Sequence, residues 1–138
     1  MTADDIVNAA RECVGTPFRH QGRLLGVGLD CAGLVLHAVQ GCGANAIDFS
    51  GYGRTPNQGL LESSLDAQPD LERVTDIAAR QPGDILLMRF KYEPQHLAIY
   101  AGETMIHGYA NVGKCCEHIV DDAWASRIVR VYRVKGLV

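Results

Sequence analysis

Cys31 follows Asp30 at the head of an apolar run, Cys31-Ala-Gly-Leu-Val-Leu-His-Ala-Val39, whose character predicts a buried helix. A thiol on the first turn of a helix sits among backbone N–H groups without intrahelical partners, and their field favours thiolate over thiol. The thiolate is the nucleophilic form of cysteine. His96 and His107 complete the set that such a nucleophile needs. One imidazole takes the thiol proton, and a third polar group holds that imidazole in one tautomer and one plane. The sulfur then attacks a carbonyl, the imidazolium protonates the leaving amine, and the backbone N–H of Cys31 is the candidate donor to the oxyanion. That chemistry is acyl transfer by a cysteine hydrolase. Each residue also has a plainer reading. A cysteine on an apolar helix usually just packs, and a lone strand histidine usually bonds a carbonyl. The combination carries the argument.

Elements must bring these residues together. Ala3–Val14 has helical spacing, with Ile6, Val7, Ala10 and Cys13 on one side, Thr2 or Asp4 as cap, and Gly15 and Pro17 as stop. Residues 16–30 read as a glycine-containing loop, and Asp30 is a suitable N-cap for the cysteine helix. That helix stops near Gly41-Cys-Gly43. Residues 44–58 are irregular, a short amphipathic helix follows at about 58–67, and Gln81-Pro-Gly-Asp84 is a turn. Five strands are then expected at 85–90, 95–101, 104–109, 114–119 and 127–134. Helices first and an antiparallel sheet afterwards make an α+β class.

The hairpin at Gly102-Glu103 sets a testable geometry. A two-residue turn there pairs 100 with 105, 98 with 107 and 96 with 109. His96, Ala98, His107 and Tyr109 then share one face, and Leu97, Ile99 and Ile106 share the other. The two imidazoles become diagonal neighbours within hydrogen-bond reach.

The totals exclude several classes. A chain of 138 residues is expected to form a single domain, residues 1–138. Its net charge of −3, with both signs dispersed, offers no basic footprint for nucleic acid. No apolar stretch approaches a membrane span, and the acidic start lacks the pattern of a secretory signal. Synthesis in the cytoplasm is therefore expected, with any arrival at a virion tail, periplasm or cell wall by another delivery route. The odd count of five cysteines argues against a disulfide framework. A zinc site would draw on Cys42, Cys115, Cys116 and His118, but no C-x2-C pair anchors it. No metal ligand or cofactor is assigned. Gly26-Val-Gly28 lacks a dinucleotide fingerprint, and Ser50 is not in a nucleophile elbow.

Five motifs in order resemble the NlpC/P60 cysteine peptidases: Gly15-Thr-Pro-Phe18, Leu29-Asp-Cys-Ala-Gly-Leu-Val35, Gln81-Pro-Gly-Asp-Ile-Leu86, His96-Leu-Ala-Ile-Tyr100 and Met105-Ile-His107. Residues 15–23 look more specifically like the phage-type branch, whose members are encoded among tail genes. The resemblance implies a papain-like fold with rearranged chain order, Cys31 as nucleophile, His96 as base and His107 as third polar residue. It implies peptidoglycan stem peptides as substrate and phage tail proteins as partners. Phe18 replaces a family tyrosine, His20 replaces an aromatic residue, and Ala32 replaces a serine, so substrate contacts are expected to differ. Phe18, His20 and Asp30 are the candidate substrate contacts. The loop carrying Asp48, Tyr52 and Arg54 is placed to border the cleft, with Arg54 either meeting a substrate carboxylate or simply solvated. Two other readings stay open: a structural tail component with a vestigial site, and an amidase or acyltransferase on the same scaffold.

Overall fold

The structure is a computed structural model that describes residues 1–54, 59–91 and 93–138. Helix α1 spans Ala3–Glu12. Thr2 starts it with a reciprocal cap: its hydroxyl accepts from the Asp5 N–H, and the Asp5 carboxylate accepts from the Thr2 N–H. Helix α2 spans Cys31–Gly41, and Asp30 caps it by accepting from the Gly33 N–H at 2.8 Å. Residues Cys31 to Leu36, Ala38 and Val39 are buried, so α2 is covered on nearly every side. The expected loop at 16–30 contains a minimal hairpin, β1 (Arg23–Leu24) with β2 (Gly28–Leu29). Helix α3 runs Leu60–Asp66 behind Gly59, whose φ of 72° suits glycine. Gln58, the expected start of α3, lies outside the described residues.

The remaining strands are β3 (Leu71–Val74), β4 (Ile85–Phe90), β5 (Glu93–Tyr100), β6 (Thr104–Tyr109), β7 (Lys114–Ile119) and β8 (Ile128–Val134). Helix α4 (Asp122–Ala125) joins the last two. The strands form one antiparallel sheet in the order β3-β8-β4-β5-β6-β7. Strands β4, β6 and β7 have the expected bounds. Strand β3 was not expected from the sequence: Leu-Glu-Arg-Val carries too little pattern, and it forms through its pairing with β8. One sheet face, with Ile85, Leu87, Leu97, Ile99 and Ile106, packs on α1 and α2. The other, with Leu86, Met88, Ala98, Met105, Ile128 and Val131, packs under Tyr100 and Trp124. Among the described residues, no helix is long and apolar enough to cross a membrane.

The β5–β6 hairpin closes as expected at its turn. The Ala101 N–H donates to the Thr104 carbonyl, and Tyr100 pairs with Met105 and Ile99 with Ile106. The pairing stops there. The expected pairs 98–107 and 96–109 are not part of the described ladder, and beyond the point where it stops the start of α2 packs closely on β6. A Cβ on Gly108 would lie 2.8 Å from the Asp30 carbonyl carbon, so only glycine lets the helix start come this close. Residues 15–18 run along the outer side of β7. Gly15 N–H donates to Cys115 O, Cys115 N–H to Thr16 O, and Phe18 N–H to Gly113 O. This covers a sheet edge and delivers Phe18 to the mouth of the site.

Candidate active site

A cleft of about 580 Å³ opens between the start of α2 and the end of the sheet where β5 and β6 part. Cys31 and His96 both line it, as do Phe18, His20, Tyr52 and Tyr109. Cys31 is the first residue of α2 and is 9% exposed. The backbone N–H groups of Leu97 and Ala32 favour its ionised form. Leu97 follows His96 on β5, and α2 packs against that strand.

Burial and charge decide the resting protonation. Burial, followed by the charge of Asp30, pushes the Cys31 thiol up to about 12, against the Leu97 and Ala32 N–H groups and Arg23. Burial, followed by Arg127 and His118, pushes His96 down to about 3. The free chain therefore holds a neutral thiol and a neutral imidazole. Burial thus works against the resting thiolate expected from the helix start, since removal of the sulfur from water opposes the field of one helix terminus.

The histidines form a chain of three. His96 Nε2 is 2.5 Å from His107 Nδ1, and His107 Nε2 is 2.8 Å from His118 Nε2. His118 Nδ1 is 2.9 Å from the Ile119 carbonyl oxygen. A carbonyl only accepts, so His118 carries its proton on Nδ1. Neutral rings then order themselves in sequence. His118 Nε2 accepts from His107 Nε2–H, and His107 Nδ1 accepts from His96 Nε2–H. His96 is left with a free lone pair on Nδ1, the state a general base requires. Phe90 stacks on His96 and Tyr109 on His107, with ring centres 4.9 and 5.0 Å apart, while Trp124 stands edge-on to His107. These contacts fix the ring planes. His118 was overlooked as a partner in the sequence. Its signal is strand parity: it lies two residues beyond Cys116, which pairs with His107.

Asp30 is 3% exposed and its carboxylate is engaged by the fold. It accepts from Gln21 N–H, Gly33 N–H, the Arg23 guanidinium and the Tyr52 hydroxyl. The wall of the cleft contains Asp30, but its oxygens are committed to these donors rather than free for substrate. Arg23 also reaches Asp48 and the Phe49 carbonyl, and so ties the 48–52 loop to the start of α2. Phe18 and His20 do line the cleft, and His20 stands edge-on to Tyr52. The Tyr52 hydroxyl, on the same cleft wall, donates to Asp30. Arg54, Arg89, Lys91 and Arg127 give the cleft a cationic wall. The last three were not singled out from sequence because they are scattered over β4, the turn after it and the turn before β8.

Three potential metal ligands also gather beside the chain of histidines. The ligand atoms of His107, Cys116 and His118 lie within 4.8 Å of one another. Of the four residues in the sequence-based zinc reading, Cys42 and Cys115 are not in this group.

Comparison with known proteins places this architecture. NlpC1 from Trichomonas vaginalis superposes with a TM-score of 0.71 at 16% identity, over 96% of this chain and 44% of that one. The peptidoglycan hydrolase RipB from Mycobacterium tuberculosis gives 0.65 at 24% identity, over 95% and 63%. The NlpC/p60 domain of the peptidoglycan hydrolase SagA gives 0.65 at 20% identity, over 95% and 97%. The chain thus spans less than two thirds of the first two proteins and nearly all of the isolated SagA domain. No curated protein matches it in sequence. The NlpC/P60 family model matches residues 15–133, which include every motif from Gly15 to His107, and the chain therefore belongs to the NlpC/P60 family.

Proposed function

We propose that this protein is a cysteine peptidase that hydrolyses amide bonds in peptidoglycan stem peptides, with Cys31 as nucleophile, His96 as base and His107 as orienter. The observation that carries this reading is the ordered chain from the Ile119 carbonyl to His96, which leaves the Nδ1 lone pair free in the cleft that also holds Cys31. His96 Nδ1 takes the thiol proton as Sγ bonds to the substrate carbonyl carbon. The carbonyl oxygen becomes an oxyanion facing the Cys31 N–H at the start of α2. His96 then gives its proton to the amine as the C–N bond breaks. Water, deprotonated by His96, attacks the thioester, releases the acid and restores the thiol.

The cationic wall supports an anionic substrate. Arg54, Arg89, Lys91 and Arg127 face a cleft in which, among the described residues, the one carboxylate, Asp30, is engaged internally. A substrate carboxylate beside Arg127 also offsets one of the charges that hold His96 in its weakly basic state.

Muropeptides incubated with the protein and resolved by mass are expected to be cut at one amide bond. Cys31→Ala should give no products while keeping its circular dichroism. Equal products from both proteins defeat the proposal. Products that retain the stem intact but lose another amide favour the amidase or acyltransferase reading. The open cleft favours an enzyme over a structural component with a vestigial site. Association with a phage tail is the narrower reading and is supported by the resemblance of residues 15–23. It predicts co-sedimentation of the protein with tail particles.

A further inference from the structure

We propose that His107, Cys116 and His118 form a binding site for a divalent transition metal of the zinc type, and that an ion bound there switches the hydrolase off. Two imidazoles and a thiolate are a ligand set that suits Zn²⁺, with a fourth position left for water. The three ligand atoms lie within 4.8 Å of one another, on neighbouring strands. The register fixes this closeness: His107 pairs directly with Cys116, and His118 follows two residues later on the same face of β7. The outer nitrogen of His118 is already held as a metal-binding histidine requires, donating its proton, and that of His107 becomes so once the His107 proton moves from Nε2 to Nδ1. His118 donates its Nδ1–H to the Ile119 carbonyl, and His107 accepts at Nδ1 from His96. Both Nε2 atoms therefore point at each other, 2.8 Å apart.

Binding displaces one proton from the site, that of the Cys116 thiol; the His107 proton moves from Nε2 to Nδ1 and is donated to His96 Nε2, whose own proton moves to Nδ1, whereas His118 Nε2 already offers a lone pair. Metal–nitrogen bonds of about 2.0–2.1 Å in a tetrahedral site need the two nitrogens to separate by roughly 0.5 Å. Cys116 and His118 are only half-buried, so an ion can reach the site from solvent. The effect on hydrolysis rests on the function proposed above. The ion takes the place of the His107–His118 hydrogen bond, and the reversed bond to His96 leaves His96 protonated on Nδ1, without the lone pair that takes the thiol proton.

Titration of the full chain with Co²⁺ in a thiol-free reductant tests the site without any need for turnover. One Co²⁺ should bind per chain, with a thiolate-to-metal absorption band. Cys116→Ser should lose that band, and Cys31→Ala should keep it. No band, or a band that survives Cys116→Ser and vanishes in Cys31→Ala, overturns the site. Muropeptide hydrolysis with Zn²⁺ tests the switch. Wild-type turnover should fall by about tenfold or more, the scale on which disturbing a functional histidine's partners acts. A chelator should restore it, and Cys116→Ser should turn over normally and resist the ion. Equal inhibition of both proteins overturns the switch. A normal Co²⁺ band in a protein that cuts no muropeptide defeats the hydrolase reading and leaves the metal site standing.

Discussion

The resting state of Cys31 leads to a measurable pH profile. A thiol moved from 9.0 to about 12 carries about 4 kcal/mol against ionisation. A helix N-terminus returns about 0.3–1 kcal/mol, and about 2 in a favourable buried site. Burial, reinforced by Asp30, therefore wins, and at neutral pH the thiolate is a minor form. The rate at which a small alkylating reagent labels Cys31, followed peptide by peptide by mass spectrometry, should rise about tenfold per pH unit from pH 6 to 9. It should pass through the ordinary thiol range without levelling off. The sign follows from the direction of the shift: a raised pKa moves the plateau to higher pH. His96→Ala should leave the profile unchanged over this range, since a neutral His96 holds no proton from the thiol. A plateau below pH 7 in the wild type that disappears in His96→Ala would show a preformed ion pair and refute this reasoning.

Three further outcomes are expected. His118→Phe removes the acceptor for His107 Nε2–H, and one neutral hydrogen bond of about 0.5–1.5 kcal/mol predicts a fall in kcat of roughly 2- to 12-fold with KM unchanged. His118→Gln, whose amide oxygen accepts, should recover part of the loss in steady-state kinetics. Asp30→Ala strips the α2 cap and leaves Arg23 and Tyr52 short of a partner, and urea unfolding should show a loss of about 2–4 kcal/mol with the same m value. Gly108→Ala places a methyl 2.8 Å from the Asp30 carbonyl carbon, so muropeptide turnover should drop more steeply than thermal stability, with an unfolding cost of about 1–3 kcal/mol.

Local chemistry was legible before any coordinates. The Asp30-Cys31 junction reads as cap and first helical residue because a carboxylate two or three residues from free N–H groups can do little else. Strands β4, β6 and β7 were legible as short, closely spaced runs joined by turns, and the Gly102-Glu103 turn set the register at Tyr100–Met105 and Ile99–Ile106. Chain order and parity alone put His96 and His107 on one face.

Everything that depends on distant segments needed the folded chain. Strand β3 exists through β8, and residues 15–18 find their place along β7. Asp30 is saturated by donors from Gln21, Arg23 and Tyr52, which no spacing rule brings together. His118 enters the chain of imidazoles because β7 lies beside β6, and the Ile119 carbonyl then sets the tautomer of three rings. The protonation of Cys31 was likewise decided in three dimensions. A sequence reveals that a thiol begins a helix, but how much water that thiol loses depends on what packs over it.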